Sequence, residues 1–182
     1  MNMKILLSFF LGIVVLHLSA QQKKEYVCQP CGNSCDLEVH SAAGVCSSCH
    51  MQLIDKSTIT FKNVSMEEFC KRIAANPKAL ILDVRSPEEF AGKSTEVPSF
   101  GHFKNAVNVN IEELEQRLGE LAKYKDKEIL VYCSHNHRSP RASYILSTHG
   151  FKTVKNMTGG VSTFVGQESN VYLKQSFVFH AH

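Results

Sequence analysis

The chain has 182 residues, 43% of them hydrophobic, so it is long enough to bury the core of one ordinary domain and a small attachment. Its net charge of +3 is too small to indicate a nucleic-acid-binding protein. Seven cysteines are many for this length, and five of them fall between residues 28 and 49, which indicates a metal site or a disulfide framework.

The first 20 residues have the pattern of a secretory signal peptide. Lys4 gives a positive start, residues 5–18 are almost wholly apolar, and Ala20 offers a small residue for cleavage. The apolar run is short for a membrane span, and an uncleaved anchor is the alternative interpretation. We therefore expect cleavage near Ala20, no stable membrane span after it, and a secreted or periplasmic protein.

Residues 26–54 form a cysteine-rich module with two Cys-x-x-Cys pairs. Cys28 and Cys31 make the first pair, and Cys46 and Cys49 make the second. Two such pairs can hold one Zn²⁺ tetrahedrally, so the spacing predicts a zinc-ribbon-like module with a structural zinc on these four thiolates. Disulfides are the rival, because an exported protein meets an oxidising environment. Further donors lie nearby, namely Cys35, His40 and His50.

The two ends of this module also resemble those of small heavy-metal-binding modules. The start has the form Tyr-x-Cys-x-x-Cys, and the end has the form Gly-x-Cys-x-x-Cys-x-Met-x-Leu. His50 stands where the resemblance implies a glycine. A segment of about 30 residues cannot bury enough surface to fold alone, so a metal or bridges must hold it.

Residues 58–170 alternate between strand and helix patterns. Strands are predicted at residues 59–61, 79–85, 107–109, 128–132 and 151–157. Helices are predicted after the caps Ser65, Ser86 and Asn110, from Arg141 to Gly150, and after Gly160. This alternation predicts an α/β domain with a central parallel sheet flanked by helices. The C-terminal tail, residues 171–182, has no predicted partner.

The segment from Ile129 to Ser139 combines an apolar strand, a cysteine, a polar loop and a helix start. Cys133 follows the strand, where ligands bind in open α/β sheets. We expect the N–H groups of the loop to form an anion site that favours the thiolate. The candidate catalytic residues are Cys133, Arg138 and Ser139, and the candidate substrate-binding residues are Ser134, His135, Asn136 and His137.

Two further pairs of residues have two interpretations each. Asp83 and Arg85 either support the loop or form an ion pair that closes the end of their strand, and we favour the ion pair as structural support. His135 and His137 are either exposed loop side chains or, together with Cys133, ligands for a soft metal such as Cu(I). Exposed side chains are the simpler interpretation, because the loop N–H groups point inward.

Four sequence segments carry a family resemblance. They are residues 82–90, residues 101–106, the loop from Cys133 to Ser139, and the pair Gly159-Gly160. In this order they resemble the signatures of the rhodanese family of sulfurtransferases over roughly residues 58–167. Their combination is specific where each piece alone is not.

The resemblance implies a mechanism without a catalytic cofactor. The Cys133 thiolate attacks the outer sulfur of thiosulfate or a related anion and becomes a persulfide, which a thiol or cyanide then accepts. Arg138 binds the oxyanion, and the Ser139 hydroxyl hydrogen-bonds the sulfur or the loop. Six residues from Cys133 to Arg138 match sulfur transfer, whereas phosphatase and arsenate reductase relatives use a longer loop. The competing class is a non-catalytic module that handles metal or binds a partner.

Overall fold

The computed structural model describes residues 23–98 and 100–180. The predicted signal peptide lies outside the described residues, so its cleavage and the export of the protein stay predictions. None of the helices in the two described ranges has the length and hydrophobicity needed to cross a bilayer.

The N-terminal module contains the strands β1 (Tyr26–Cys28), β2 (Gly44–Val45) and β3 (Gln52–Asp55), and a 3₁₀ helix covers Ser34–Leu37. The strands form an antiparallel sheet with the spatial order β1-β3-β2. The buried residues of the module are Val27, Cys28, Pro30, Cys35 and Cys46, so no Leu, Ile, Met or aromatic side chain is buried in its interior. The fold of the module therefore depends on what its thiols bind.

The strands of the main domain, in chain order, are β4 (Lys62–Val64), β5 (Leu80–Asp83), β6 (His102–Phe103), β7 (Val107–Asn108), β8 (Glu128–Tyr132), β9 (Thr153–Met157) and β10 (Phe177–Val178). Five of them form a parallel sheet with the order β4-β9-β8-β5-β7. The other two, β6 and β10, form a separate two-stranded sheet. The helices are α1 (Met66–Ala75), α2 (Pro87–Ala91), α3 (Arg138–Thr148) and α4 (Val171–Ser176). Shorter 3₁₀ helices cover Lys56–Thr58, Ala122–Tyr124 and Val161–Phe164.

Helices cover both faces of this sheet, as the apolar strand patterns predict. Along β8, Ile129 and Val131 belong to the apolar cluster that includes Leu146 of α3. Leu130 and Tyr132 belong to the opposite cluster, which includes Phe69 of α1. Successive strand residues alternate between faces, so a strand buried on both sides has to be apolar throughout.

Several predicted elements differ from the structure, two of them in type. Residues 59–61 are not a strand, because the edge strand β4 begins at Lys62. Residues 111–118 form consecutive turns closed mainly by i→i+3 hydrogen bonds, although Ile111 and Leu114 are buried as the helical spacing requires. Apolar spacing of three and four residues serves an α-helix and a run of tight turns equally well.

The C-terminal tail belongs to the core. Leu173 of α4 is fully buried, and Phe177 of β10 packs edge-on against Phe103 and Phe164 with ring centroids 5.0 Å apart in both cases. β10 pairs antiparallel with β6. The sequence leaves this tail unplaced because its partner strand is only two residues long.

Candidate functional site

Cys133 lies directly after β8, the central strand, at the carboxyl end of the parallel sheet. Its side chain has no exposed surface and belongs to the apolar cluster on the α3 face. It also forms part of the wall of a cavity of about 420 Å³, whose other lining residues are Val97, Ser134, His135, His137 and Arg138. This cavity is the side from which a reactant would approach the sulfur, past the side chains at its rim.

The loop after Cys133 leaves its backbone donors free. Within residues 23–98 and 100–180, no acceptor is hydrogen-bonded to the N–H groups of residues 134–137. These residues directly precede α3, which begins at Arg138 and not at Arg141 as predicted. Free N–H groups at the N-terminus of an eleven-residue helix attract an anion, because the helix dipole places partial positive charge there.

Ser139 lies in the first turn of α3 with its side chain turned toward the reactive position. The Cys133 Sγ and Ser139 Oγ atoms are 3.4 Å apart, and Ser139 is fully buried. Since both residues have no exposed surface, this contact fixes the cysteine side chain against the helix.

The Arg138 guanidinium is held by a carboxylate that sequence reasoning missed. Its Nη1 and Nη2 donate to the two oxygens of Glu89 at 2.5 and 2.8 Å, and Nη2 also donates to Ser134 Oγ at 2.7 Å. The hydrogen bonds to Glu89 raise the pKa of Arg138, and the charge of Cys133 adds to this effect. Two of the five guanidinium N–H groups have no acceptor in the described part of the chain.

Glu89 belongs to the predicted helix cap at Ser86. Ser86 N donates to Glu89 Oε2 at 3.1 Å and Glu89 N donates to Ser86 Oγ at 3.2 Å, so the two residues form a capping box. The local signal was therefore present in the sequence, but it indicates a cap. The role of Glu89 toward Arg138, 49 residues away, is visible only in the fold.

Asp83 and Arg85 form the predicted ion pair, and both are fully buried. Arg85 donates to both carboxylate oxygens, and its Nη2 also donates to Gly101 O at 2.7 Å. The pair ties the end of β5 to the chain that enters β6. It supports the strand ends beside the loop and does not line the cavity.

Gly160 and Asn156 contact the loop that follows Cys133. A Cβ atom at Gly160 would lie 2.2 Å from Ser134 O and 2.7 Å from His135 N, so only glycine fits there. Asn136 has a left-handed φ of 62°, and its Oδ1 accepts a hydrogen bond from Asn156 Nδ2 at 3.0 Å. Of the pair Gly159-Gly160, it is Gly160 that contacts the loop directly.

His135 and His137 are exposed, and both line the cavity. The His135 ring lies edge-on to Phe100, with centroids 5.7 Å apart. Among the described residues, the group of three or more potential metal ligands that lie close together is in the N-terminal module and does not include Cys133. The structure therefore favours loop side chains over a Cu(I) site.

Four thiols of the N-terminal module come together. The Sγ atoms of Cys28, Cys31, Cys35 and Cys49 all lie within 4.8 Å of one another, a group that we call the thiol cluster. This set differs from the predicted ligands, because Cys35 joins it where Cys46 was expected. The 3₁₀ helix at Ser34–Leu37 turns Cys35 inward.

The three remaining candidate donors lie outside this group of four. Cys46 is buried together with Cys28 and Cys35, so it is a fifth thiol beside the cluster. His40 and His50 are not part of the group. All seven cysteines of the chain are free in this structure, and the choice between a metal site and disulfides stays a prediction.

The thiol cluster fits a thiophilic cation. Tetrahedral zinc with Zn–S bonds of 2.3 Å places its sulfur atoms about 3.8 Å apart. The Sγ atoms of Cys31 and Cys35 are 3.6 Å apart, and those of Cys28 and Cys49 are 3.0 Å apart. The first distance already suits such a site, and the second pair has to separate slightly.

Protonation in the cluster is uneven. Burial raises the pKa of Cys28 far above its usual value and that of Cys35 to about 12. The hydrogen bond from Cys28 lowers the pKa of Cys49 to about 7. The sulfur atoms of Cys28 and Cys49 are hydrogen-bonded to each other, and a cation bound by both would replace the proton between them.

Comparison with known proteins identifies the family of the α/β domain that carries Cys133. A family model for the rhodanese-like domain matches residues 65–167. The chain is 34% identical over 106 residues to the uncharacterized protein YqhL of Bacillus subtilis (58% of this chain, 74% of that protein). It is 30% identical over 112 residues to a putative mitochondrial thiosulfate sulfurtransferase of Schizosaccharomyces pombe (57% of this chain, 79% of that protein).

Other similar proteins are much longer than the matched region. A tRNA uridine(34) hydroxylase of Hamiltonella defensa is 34% identical over 94 residues, which are 50% of this chain and 24% of that protein. The crystal structure of reduced CoADR-RHD from Bacillus anthracis superposes with a TM-score of 0.50 at 25% identity, covering 66% of this chain and 18% of that one. The parallel sheet, the loop after its central strand and the match over residues 65–167 agree, and the chain belongs to the rhodanese-like domain family.

Proposed function

We propose that this protein is a sulfurtransferase that moves sulfane sulfur from thiosulfate or a related anion to a thiophilic acceptor through a persulfide on Cys133. The observation that carries the proposal is the row of free N–H groups at residues 134–137, which adjoins the sulfur at the start of α3. The relative named a putative thiosulfate sulfurtransferase supports it. The relative named a tRNA uridine(34) hydroxylase does not weigh against it, since the match spans only 24% of that protein.

In the first step, the thiolate of Cys133 attacks the outer sulfur of thiosulfate. A new S–S bond forms on Cys133 while the S–S bond of thiosulfate breaks, and the electron pair of that bond leaves with sulfite. The total charge of −3 is the same before and after the step. Free amides suit this chemistry, because negative charge spreads along the row of sulfur atoms in the transition state.

In this proposal Arg138 binds and stabilises the leaving group, sulfite. Glu89 and Ser134 fix the plane of its guanidinium at the cavity wall, and two N–H groups remain for sulfite oxygen. A guanidinium oriented before binding loses little freedom when the anion arrives. Ser139 holds the Cys133 side chain in position.

In the second step, an acceptor attacks the outer sulfur of the persulfide. With a thiolate acceptor, a new persulfide forms on the acceptor and Cys133 leaves as a thiolate. With cyanide, the product is thiocyanate. The exposed residues His135 and His137 border the route by which either acceptor enters.

The test measures sulfite release from thiosulfate with cyanide as acceptor. The wild-type protein should turn over, and Cys133→Ser should reduce the rate to background. Cys70→Ala is the matched control, because Cys70 is a buried cysteine of the same domain that lines a different cavity. Equal rates for wild type and Cys133→Ser would refute the proposal.

Two attributes accompany this proposal. The thiol cluster holds a structural zinc ion, supported by four Sγ atoms within 4.8 Å of one another. The protein is exported to the periplasm or beyond, supported by the apolar segment at residues 5–18 and the small residue Ala20. Metal analysis of the purified protein tests the first attribute, and N-terminal sequencing of the mature protein tests the second.

A further inference from the structure

The thiol cluster and the active-site loop are in direct contact through one glycine. Gly32 follows the cluster residue Cys31 and has a left-handed φ of 80°. A Cβ atom at this position would lie 1.8 Å from Asn136 O, 2.8 Å from Asn136 C and 3.0 Å from His137 Cα. Backbone therefore packs on backbone, halfway along the loop that joins Cys133 to Arg138.

On the module side, the position of Gly32 depends on the thiol cluster. The Asp36 carboxylate accepts hydrogen bonds from Cys31 N at 3.0 Å and from Gly32 N at 2.7 Å. This turn carries Cys31 and Cys35, two of the four clustered thiols, with Sγ atoms 3.6 Å apart. Because cysteines make up most of the module's small buried interior, the shape of the turn depends on the thiols being held together.

On the domain side, Val161 N and Ser162 N donate to Cys133 O and Ser134 O at the start of the loop, and Asn136 lies further along it. Asn136 keeps its left-handed conformation while its Oδ1 accepts from Asn156, whose Nδ2 also donates to Asn63 Oδ1 at 2.8 Å. Gly160 contacts the loop earlier, at Ser134. Asparagine tolerates a left-handed φ, and the contacts of Asn136 with the Asn156 side chain and the Gly32 backbone fix its position.

We propose that cation occupancy of the thiol cluster controls sulfur transfer at Cys133, with Gly32 transmitting the state of the cluster to the loop. This inference rests on the proposed function, since it assigns a regulator to that site. With a cation bound, the turn that contains Gly32 packs against the Asn136 backbone and keeps the N–H groups of residues 134–137 aligned. Without it, the module loosens, the contact is lost and the loop relaxes away from the geometry that stabilises the anion.

The first experiment removes and restores the metal on the full-length purified protein. Zinc is extracted with a chelator under reducing conditions and then added back as Zn²⁺ alone. Two quantities are followed: kcat/KM for sulfite release, and hydrogen exchange of the peptide containing residues 134–138. We expect metal removal to lower kcat/KM at least tenfold and to accelerate exchange in that peptide, with both effects reversed by Zn²⁺.

The second experiment breaks the contact while the metal stays bound. Gly32→Ala should retain wild-type zinc stoichiometry yet show the low kcat/KM and fast exchange of the metal-free protein, unaffected by added Zn²⁺. Gly150→Ala is the control, because Gly150 has a similar φ of 85° but no heavy atom within 4 Å of an added Cβ. The control should behave like wild type in both measurements.

Unchanged kcat/KM and unchanged exchange at residues 134–138 after metal removal would overturn the coupling, as would a purified protein with a protected loop and no bound metal. The exchange measurement keeps this test independent of the proposed function. A protein without sulfurtransferase activity whose loop still responds to Zn²⁺ would refute the activity and retain the coupling. Should Gly32→Ala fail to fold, the wild-type measurements alone decide.

Discussion

Glu89→Gln tests whether the Glu89–Arg138 pair organises the active site. The substitution keeps the size of the side chain but removes the charge that accepts two hydrogen bonds from Arg138, and Glu89 is only 3% exposed. Losing one partner of a buried ion pair costs about 3–5 kcal/mol. Water reaches the Arg138 side chain, which is 31% exposed, so we expect a loss of about 1–3 kcal/mol.

The loss should appear in stability and in activity. For a protein of this size, each kcal/mol lowers Tm by roughly 2–4 °C, which calorimetry resolves. Without Glu89 the Arg138 guanidinium is not held in the orientation that suits the sulfite leaving group, so kcat/KM for sulfite release should fall about tenfold or more. Glu88→Gln is the matched control, because Glu88 is the exposed neighbour in the same helix turn. Wild-type Tm and kcat/KM in Glu89→Gln would refute this reasoning.

Three further predictions concern the pH dependence and the supports of the fold. Burial raises the pKa of Glu89, but the hydrogen bonds from Arg138 outweigh it and the net pKa is lowered. The stability gap between wild type and Glu89→Gln in urea should therefore be complete above the unfolded pKa of about 4.3 and close as the pH falls through the lower folded pKa; a constant gap would contradict this. Asp83→Asn leaves Arg85 buried without its counter-charge and should lower the free energy of unfolding by about 3–5 kcal/mol; a change within error would contradict this. Leu173→Ala should lower the free energy of unfolding by about 2–5 kcal/mol, whereas the exposed control Val171→Ala should leave it nearly unchanged. Equal losses in the two variants would contradict the assignment of the tail to the core.

The central strand and the reactive cysteine were predictable because their signals are local. The apolar run at residues 128–132 is a strand buried on both faces, and that pattern appears in the sequence without knowledge of its partners. The position of Cys133 after this strand then follows from the rule that sites form at the carboxyl ends of parallel strands. The fully buried pair Asp83 and Arg85 was also predictable, since the two residues share one strand end.

Features that depend on distant parts of the chain could not be predicted. Glu89 and Arg138 lie on different helices, and nothing local distinguishes Glu89 from Glu88 except the cap. Cys35 joins the thiol cluster only because a 3₁₀ helix turns it inward, whereas spacing favours the Cys-x-x-Cys partners. The contact of Gly32 with Asn136 requires the module to dock on the domain, which no periodicity encodes.

The central claim is that the sulfur of Cys133 accepts sulfane sulfur beside free backbone donors. Intact-mass and peptide mass spectrometry after incubation with thiosulfate tests this most directly. We predict a gain of one sulfur atom per chain, located on Cys133, removed by added thiol and absent from Cys133→Ser. A protein that gains no sulfur, or gains it only on the cysteines of residues 28–49, would contradict the account.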